Sequence, residues 1–182
     1  SMPIGAYSEK HIMPENKLVP VPDEVSDEVA SCVTLKGITA EYLLHRAYPL
    51  KKGDKVLYHA AAGALGQILC PWANSIGAEI IGTVGSGEKE EIARKNGCHH
   101  VINYTEKNFV EEVEKIVGKN GIDVVYDGVG LKTFEGSIEV LKIRGMMIAF
   151  GNASGYVDTI DVKKHINAKG LFFTRPSIAH YT

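Results

Sequence analysis

No stretch of the chain approaches the roughly 18 consecutive apolar residues that a membrane-spanning helix requires, and no charged-then-apolar leader opens it. A membrane role and an export route are therefore not expected, and the cytosol is the expected location. Cysteine is scarce. Cys32, Cys70 and Cys98 are three in 182 residues, too few and too irregularly spaced for a disulfide framework, which suits a reducing compartment. A dominant sign of charge is missing as well. The 20 basic and 22 acidic side chains leave a net charge of -2, and because the two signs are interspersed there is no footprint for nucleic acid or for an anionic membrane surface. What is present is a chain that is 45% hydrophobic, enough for one sizeable core in one domain.

The most informative segment is Ala60-Ala61-Ala62-Gly63-Ala64-Leu65-Gly66, which follows the apolar run at 55–59. A strand running into a turn without side-chain bulk, and then into a helix, lets a pyrophosphate approach the amides at the helix N-terminus. Ala61, Gly63 and Gly66 stand at the three glycine places of the dinucleotide-binding fingerprint, with alanine at the first. Taken alone the match is weak, because small-residue turns also join strands to helices for purely structural reasons.

The context strengthens it. Strands are expected at 55–60, 79–84, 100–103, 121–127, 145–151 and 170–174, with helices at 66–76, 86–95, 108–117 and 133–141. The first of these helices carries Leu65, Ile68, Leu69, Trp72 and Ile76 at helical spacing, and the third carries Phe109, Val113, Ile116 and Val117. Such alternation predicts an α/β fold, a doubly wound parallel sheet of six strands. Segments such as Val56-Leu57-Tyr58 and Val124-Val125-Tyr126 are uniformly apolar, as strands covered on both faces should be.

About 20 residues past the glycine turn, a cofactor with a free ribose 2'-hydroxyl usually meets Asp or Glu. Here the place reads Val84-Gly85-Ser86. No carboxylate is available, whereas a 2'-phosphate would find the Ser86 hydroxyl and the Lys89 ammonium. A lysine in the first turn of a helix opposes the macrodipole and so points to a bound anion. The alternative is a surface lysine balanced by Glu88, Glu90 and Glu91.

Together these segments resemble the cofactor-binding domain of the NADPH-dependent quinone oxidoreductases, the zeta-crystallin-like branch of the medium-chain dehydrogenase/reductase superfamily. The resemblance also rests on Gly37-Ile-Thr-Ala-Glu-Tyr-Leu-Leu44, Val101-Ile-Asn-Tyr104, Asp123-Val-Val-Tyr-Asp-Gly-Val-Gly130, Phe150-Gly-Asn-Ala-Ser-Gly155 and Thr174-Arg-Pro176, and it runs in order through nearly the whole chain. It implies that Ala62, Gly63, Ala64, Leu65 and Gly66 hold the pyrophosphate of NADPH. It further implies that Gly85, Ser86, Lys89 and Tyr104 surround the 2'-phosphate, that Gly128, Phe150, Gly151 and Asn152 line the path from adenosine to nicotinamide, and that Thr39 lies beside the nicotinamide. Tyr104 also has a plainer reading, as a half-buried ring covering the next helix. By the same resemblance the activity is zinc-independent hydride transfer to a quinone, with an enoyl or enone reductase as the alternative. A homodimer is expected through the edge of the sixth strand, which is apolar at Gly170-Leu-Phe-Phe-Thr174 and would otherwise be left unpaired.

Departures from the family are expected too. Such enzymes begin with a GroES-like catalytic domain, to which the chain later returns. Residues 1–24 read as the tail of that domain and a linker, with a strand fragment at 5–8, residues 25–175 as the NADPH-binding domain, and 176–182 as the start of the return. The sequence therefore reads as a piece of a longer protein, with Ser1-Met2 a tag remnant joined to a start codon. Pro71, inside an expected helix, should kink it at a cost of ~3 kcal/mol.

Other chemistries find little support. The sequence suggests no Ser/His/Asp grouping, and no Tyr-x-x-x-Lys pair stands where a short-chain dehydrogenase needs one. Cys98-His99-His100 is the one dense ligand cluster, and adjacent strand residues point to opposite faces, so no metal is expected there. Two further classes stay open: a stand-alone NADPH-sensing module, and a structural role with incidental turnover.

Overall fold

Residues in the strands sort by parity onto two faces. Val56, Tyr58, Ile80, Val124, Tyr126 and Ile148 join one buried cluster, while Leu57, Ile81, Ile102, Val125 and Met147 join the other. That is the signature of a sheet with helices on both sides. The computed structural model describes Gly5 and residues 7–181; residues 1–4, 6 and 182 fall outside it, and with them the expected tag remnant and part of the expected strand fragment. Tyr7 and Ser8 are described and lie in no strand.

Six strands form one sheet: β1 (Lys55–His59), β2 (Glu79–Val84), β3 (His100–Asn103), β4 (Ile122–Asp127), β5 (Leu141–Ala149) and β6 (Phe172–Thr174). Their order is β3-β2-β1-β4-β5-β6, with every neighbouring pair parallel. The doubly wound fold is therefore as the sequence predicts. The order reverses between β1 and β4, and at such a switch point a crevice opens beyond the carboxyl ends of the strands.

Helices α1 (Asp27–Glu41), α2 (Gly66–Ile76) and α3 (Gly87–Lys95) feed the first cluster through Ala40, Leu69, Ala73 and Ala93; α4 (Phe109–Val117) and α5 (Phe134–Val140) feed the second through Val113, Phe134 and Ile138. Sequence periodicity misses α1. Its apolar residues form no stripe, and Val29, Val33 and Leu35 are exposed. The legible signal is at its start, where the Ser26 hydroxyl accepts from Val29 N and Asp27 and Glu28 occupy the first turn.

Other differences are local. Ser86 and Asn108 precede α3 and α4 as caps instead of lying inside them. β5 begins at Leu141, four residues before the expected start, because the ladder with β4 shifts register between Ile122 and Val124 and Arg144 adopts φ 61°. β6 is shorter than expected because Gly170, at φ 57°, still belongs to the turn. α2 runs on through Pro71, and both Pro71 and Gln67, whose carbonyl loses its bond, are exposed residues.

After β6 the chain folds back onto the domain. The Tyr181 ring stacks on Tyr42 at 4.4 Å, and Arg46 Nη1 donates to the Tyr181 carbonyl at 2.7 Å. Among the described residues no helix is long and apolar enough to cross a membrane.

Candidate functional site

The turn after β1 is built by close backbone approach. Ala60 takes φ 61°, Ala61 N donates to Thr83 O at 3.0 Å, and Gly63 N donates to Ala60 O at 2.9 Å. A β-carbon on Gly66 would stand 2.2 Å from Ala61 O, so only glycine lets α2 start against the turn. Gly63 and Ala64 face outward. Among the described residues none accepts a hydrogen bond from the amides of Ala62, Ala64, Leu65 or Gly66. Unpartnered amides at a helix start, on a backbone stripped of bulk, are what an anionic group requires.

Beyond β2 and β3 a second cluster forms. The Tyr104 hydroxyl lies over Gly85, and Ser86 caps α3 in an extended conformation without spending its side chain on a cap bond. Lys89, in the first turn of α3, makes no ion pair among the described residues; Glu90 leans toward Arg94 instead, at 3.8 Å. The surface-balance reading of Lys89 thus has no partner behind it. Tyr104 and Gly85 thus meet just before the Ser86 cap, and Lys89 follows in the first turn of α3.

The third part lies past β4 and β5. Gly128 and Gly151 approach backbone to backbone, a β-carbon on Gly151 standing 2.5 Å from Gly128 O, and the Phe150 ring covers Gly128 from the other side. Ala153 N and Ser154 N donate to the carbonyls of Gly128 and Val129, at 3.2 and 2.8 Å, and clamp the two loops together. Thr39 is half-buried in α1, with its hydroxyl donated to Leu35 O at 2.7 Å.

Beneath the crevice runs a buried polar chain that the sequence reading missed. Asp127 Oδ1 accepts from the amides of Val129 and Gly130 at 2.7 and 2.9 Å, and Oδ2 accepts from Thr133 Oγ1 at 2.7 Å and Ser137 Oγ at 3.4 Å. His59 Nε2 meets Ser137 Oγ, and Nδ1 meets Thr83 Oγ1, both at 2.9 Å. A carboxylate only accepts, so Ser137 gives its proton to Asp127 and accepts from Nε2–H, which leaves Nδ1 to accept from Thr83. Burial lowers the His59 pKa, against a smaller opposing pull from Asp127. The structure thus gathers a Ser, a His and an Asp after all. Ser137 sits between the other two and all three are buried, so the group holds β1, β2, β4 and α5 together and offers no nucleophile to a substrate. The signal available in sequence was an aspartate at the end of an apolar strand, which must find donors in the loop that follows.

A family model described as zinc-binding dehydrogenase matches residues 64–182. The chain belongs to that family. It is 49% identical over 182 residues to a 2-haloacrylate reductase of a Burkholderia species, covering 98% of this chain and 55% of that protein. It is 44% identical over 179 residues to quinone oxidoreductase 1 of Escherichia coli, covering 98% and 54%. Among solved structures, the Escherichia coli quinone oxidoreductase complexed with NADPH aligns with a TM-score of 0.85 at 44% identity over 90% of this chain and 50% of that one. The chain thus resembles quinone oxidoreductases of the medium-chain dehydrogenase/reductase superfamily. It spans about half the length of the curated relatives it matches.

The zinc in the family's description does not fit these residues. His99 Nδ1 accepts from Ile80 N at 3.0 Å, His100 Nε2 pairs with Glu79 at 3.2 Å, and Cys98 is buried beside Gly82. Among the described residues no group of three or more His, Cys, Asp or Glu side chains is placed to hold a metal ion.

Proposed function

We propose that this chain is the NADPH-binding part of an oxidoreductase that passes hydride to a quinone. The carrying observation is Lys89, without an ion pair among the described residues, in the first turn of the helix that Ser86 caps, with Tyr104 over Gly85 just before that cap. That corner suits a 2'-phosphate and lacks, at the end of β2, the carboxylate that usually receives a free 2'-hydroxyl. The unpartnered amides of the 62–66 turn would take the pyrophosphate, and the paired loops at Gly128 and Phe150-Gly151-Asn152 would receive the nicotinamide half. Thr39 is proposed to reach the nicotinamide from α1. NADPH would supply the hydride, and the chain's own task is to bind it, fix one face of the ring toward the acceptor and exclude water.

The likeness to a 2-haloacrylate reductase favours a second reading, reduction of an activated carbon–carbon double bond in an enone or enoyl substrate. Residues 25–175 would then serve either acceptor, the choice resting with a catalytic domain of which residues 1–24 are the tail and 176–182 the return. We also propose a cytosolic location, which suits three free thiols, and a homodimer across the edge of β6, where Phe172 is 52% exposed.

Titration of the chain with NADPH and with NADH, followed by binding heat, tests the reading. The expected result is a preference for NADPH that Lys89→Ala removes, with a loss of roughly tenfold or more. Equal binding of both cofactors, or of neither, would overturn it.

A further inference from the structure

Arg175 is the first residue after β6, and its side chain turns back across the end of β5. Nη1 donates to Ala149 O at 3.1 Å and Gly151 O at 3.3 Å, Nη2 donates to Asn152 Oδ1 at 3.3 Å, and the guanidinium lies 5.6 Å from the Tyr156 ring centroid. The β5–β6 ladder ends at the pair Ile148 and Thr174, so the carbonyls of Ala149 and Gly151 lie past its last rung. Arg175 supplies the donors that a longer β6 would have given. Packing alone does not hold this loop, because a cavity of about 90 Å³ opens beneath it, lined by Met147, Gly151, Tyr156, Phe173 and Arg175.

The contact with Asn152 has a directional consequence. A guanidinium carries donors and no acceptor, so only the amide oxygen of Asn152 can face it, and the NH2 group must point away. Among the described residues none accepts from that NH2 group. Asn152 is thereby presented as a donor at the carboxyl end of β5, in the loop packed against Gly128.

Resting on the cofactor reading above, we infer that Arg175 is a positioning residue: it fixes the β5 exit loop and turns the Asn152 amide so that its NH2 group donates to the nicotinamide half of NADPH. The adenosine half, held at the ends of β2 and β3, lies outside its reach.

The probes are NADPH and adenosine 2',5'-bisphosphate, which keeps the 2'-phosphate and lacks the nicotinamide half, titrated into the chain and into Arg175→Met, Arg175→Lys and Asn152→Asp. Asn152→Asp keeps an acceptor for Arg175 and discards the donor, so it tests the amide without releasing the loop. The expected result is that the unaltered chain binds NADPH more tightly than the bisphosphate. Arg175→Met and Asn152→Asp should each weaken NADPH at least about fivefold and leave the bisphosphate within about twofold, with Arg175→Lys in between. Parallel loss of both ligands would reveal a general structural role and overturn the inference, as would NADPH affinity unchanged in both variants. No advantage of NADPH over the bisphosphate in the unaltered chain would also overturn it while sparing the 2'-phosphate site. Binding of neither probe would overturn the cofactor reading itself.

Discussion

The hydroxyl of Tyr104 lies 2.7 Å from the point where a β-carbon on Gly85 would stand. The two residues directly follow neighbouring strands, and the ring comes to rest over Gly85 because Gly85 has no side chain. Tyr104 remains 46% exposed, within reach of a ligand at this corner. Gly85→Ala should therefore displace a mobile ring at little cost to the fold, within about 0.5 kcal/mol by denaturant titration. NADPH affinity should fall several-fold in Gly85→Ala and by less in Tyr104→Phe. Affinities equal to that of the unaltered chain would remove Tyr104 from the site.

Two glycines at helix starts should respond oppositely to the same substitution. In Gly66→Ala the new methyl meets the backbone of Ala61, with the carbonyl oxygen at 2.2 Å and the carbonyl carbon at 2.7 Å, and neither can yield without moving the turn. In Gly87→Ala nothing lies within 4 Å, and helix propensity should add up to about 1 kcal/mol. Thermal melts should show Gly66→Ala lowered by several degrees and Gly87→Ala unchanged or raised. A Gly66→Ala protein as stable as the unaltered chain would mean that α2 does not start tightly against Ala61.

Acid should weaken the fold through His59. Its pKa is lowered in the folded chain, chiefly by burial, from an ordinary value of 6.5. Below that value the unfolded chain takes up a proton that the folded chain resists, so stability is present above pH 6.5 and is lost as pH falls toward the lowered value. Melting temperatures between pH 7.5 and 5 should drop more steeply for the unaltered chain than for His59→Gln. Parallel slopes would show that the acid loss comes from other groups.

Much of this architecture is legible in sequence because both faces of the sheet are covered. Runs such as Val124-Val125-Tyr126 need no help from distant residues to read as buried strands, and the helix after the glycine turn announces itself through Leu69, Trp72 and Ile76. Ser86 and Lys89 were legible as chemistry at a known distance from that turn, and Tyr104 only through the family resemblance. What was not legible depends on partners far apart in the chain. Ser137 matters through His59, and Arg175 through Ala149 and Gly151, and no local pattern announces either pairing. The helix α1 was missed for another reason, since its outward Val29, Val33 and Leu35 break the one-sided pattern that periodicity detects.

Asp127 decides which way the buried polar chain points. As a carboxylate it takes four donors, the amides of Val129 and Gly130 and the hydroxyls of Thr133 and Ser137. Asp127→Ala strands the amides of Val129 and Gly130 and should cost the fold several kcal/mol, about 1–3 for each group left unmet. Asp127→Asn is subtler. Its oxygen can still serve the amides, but its NH2 group then faces Thr133 and Ser137 and must donate to them. Thr133 can turn its proton to Gly130 O, which it already meets at 3.1 Å. Ser137 has only His59 left to receive its proton. Nε2 would then accept, and Nδ1–H would donate to Thr83, so the substitution reverses the chain from end to end. Nitrogen NMR of the His59 ring should report the Nε2–H tautomer in the unaltered chain and Nδ1–H in Asp127→Asn. The same tautomer in both would show that Ser137 does not link them.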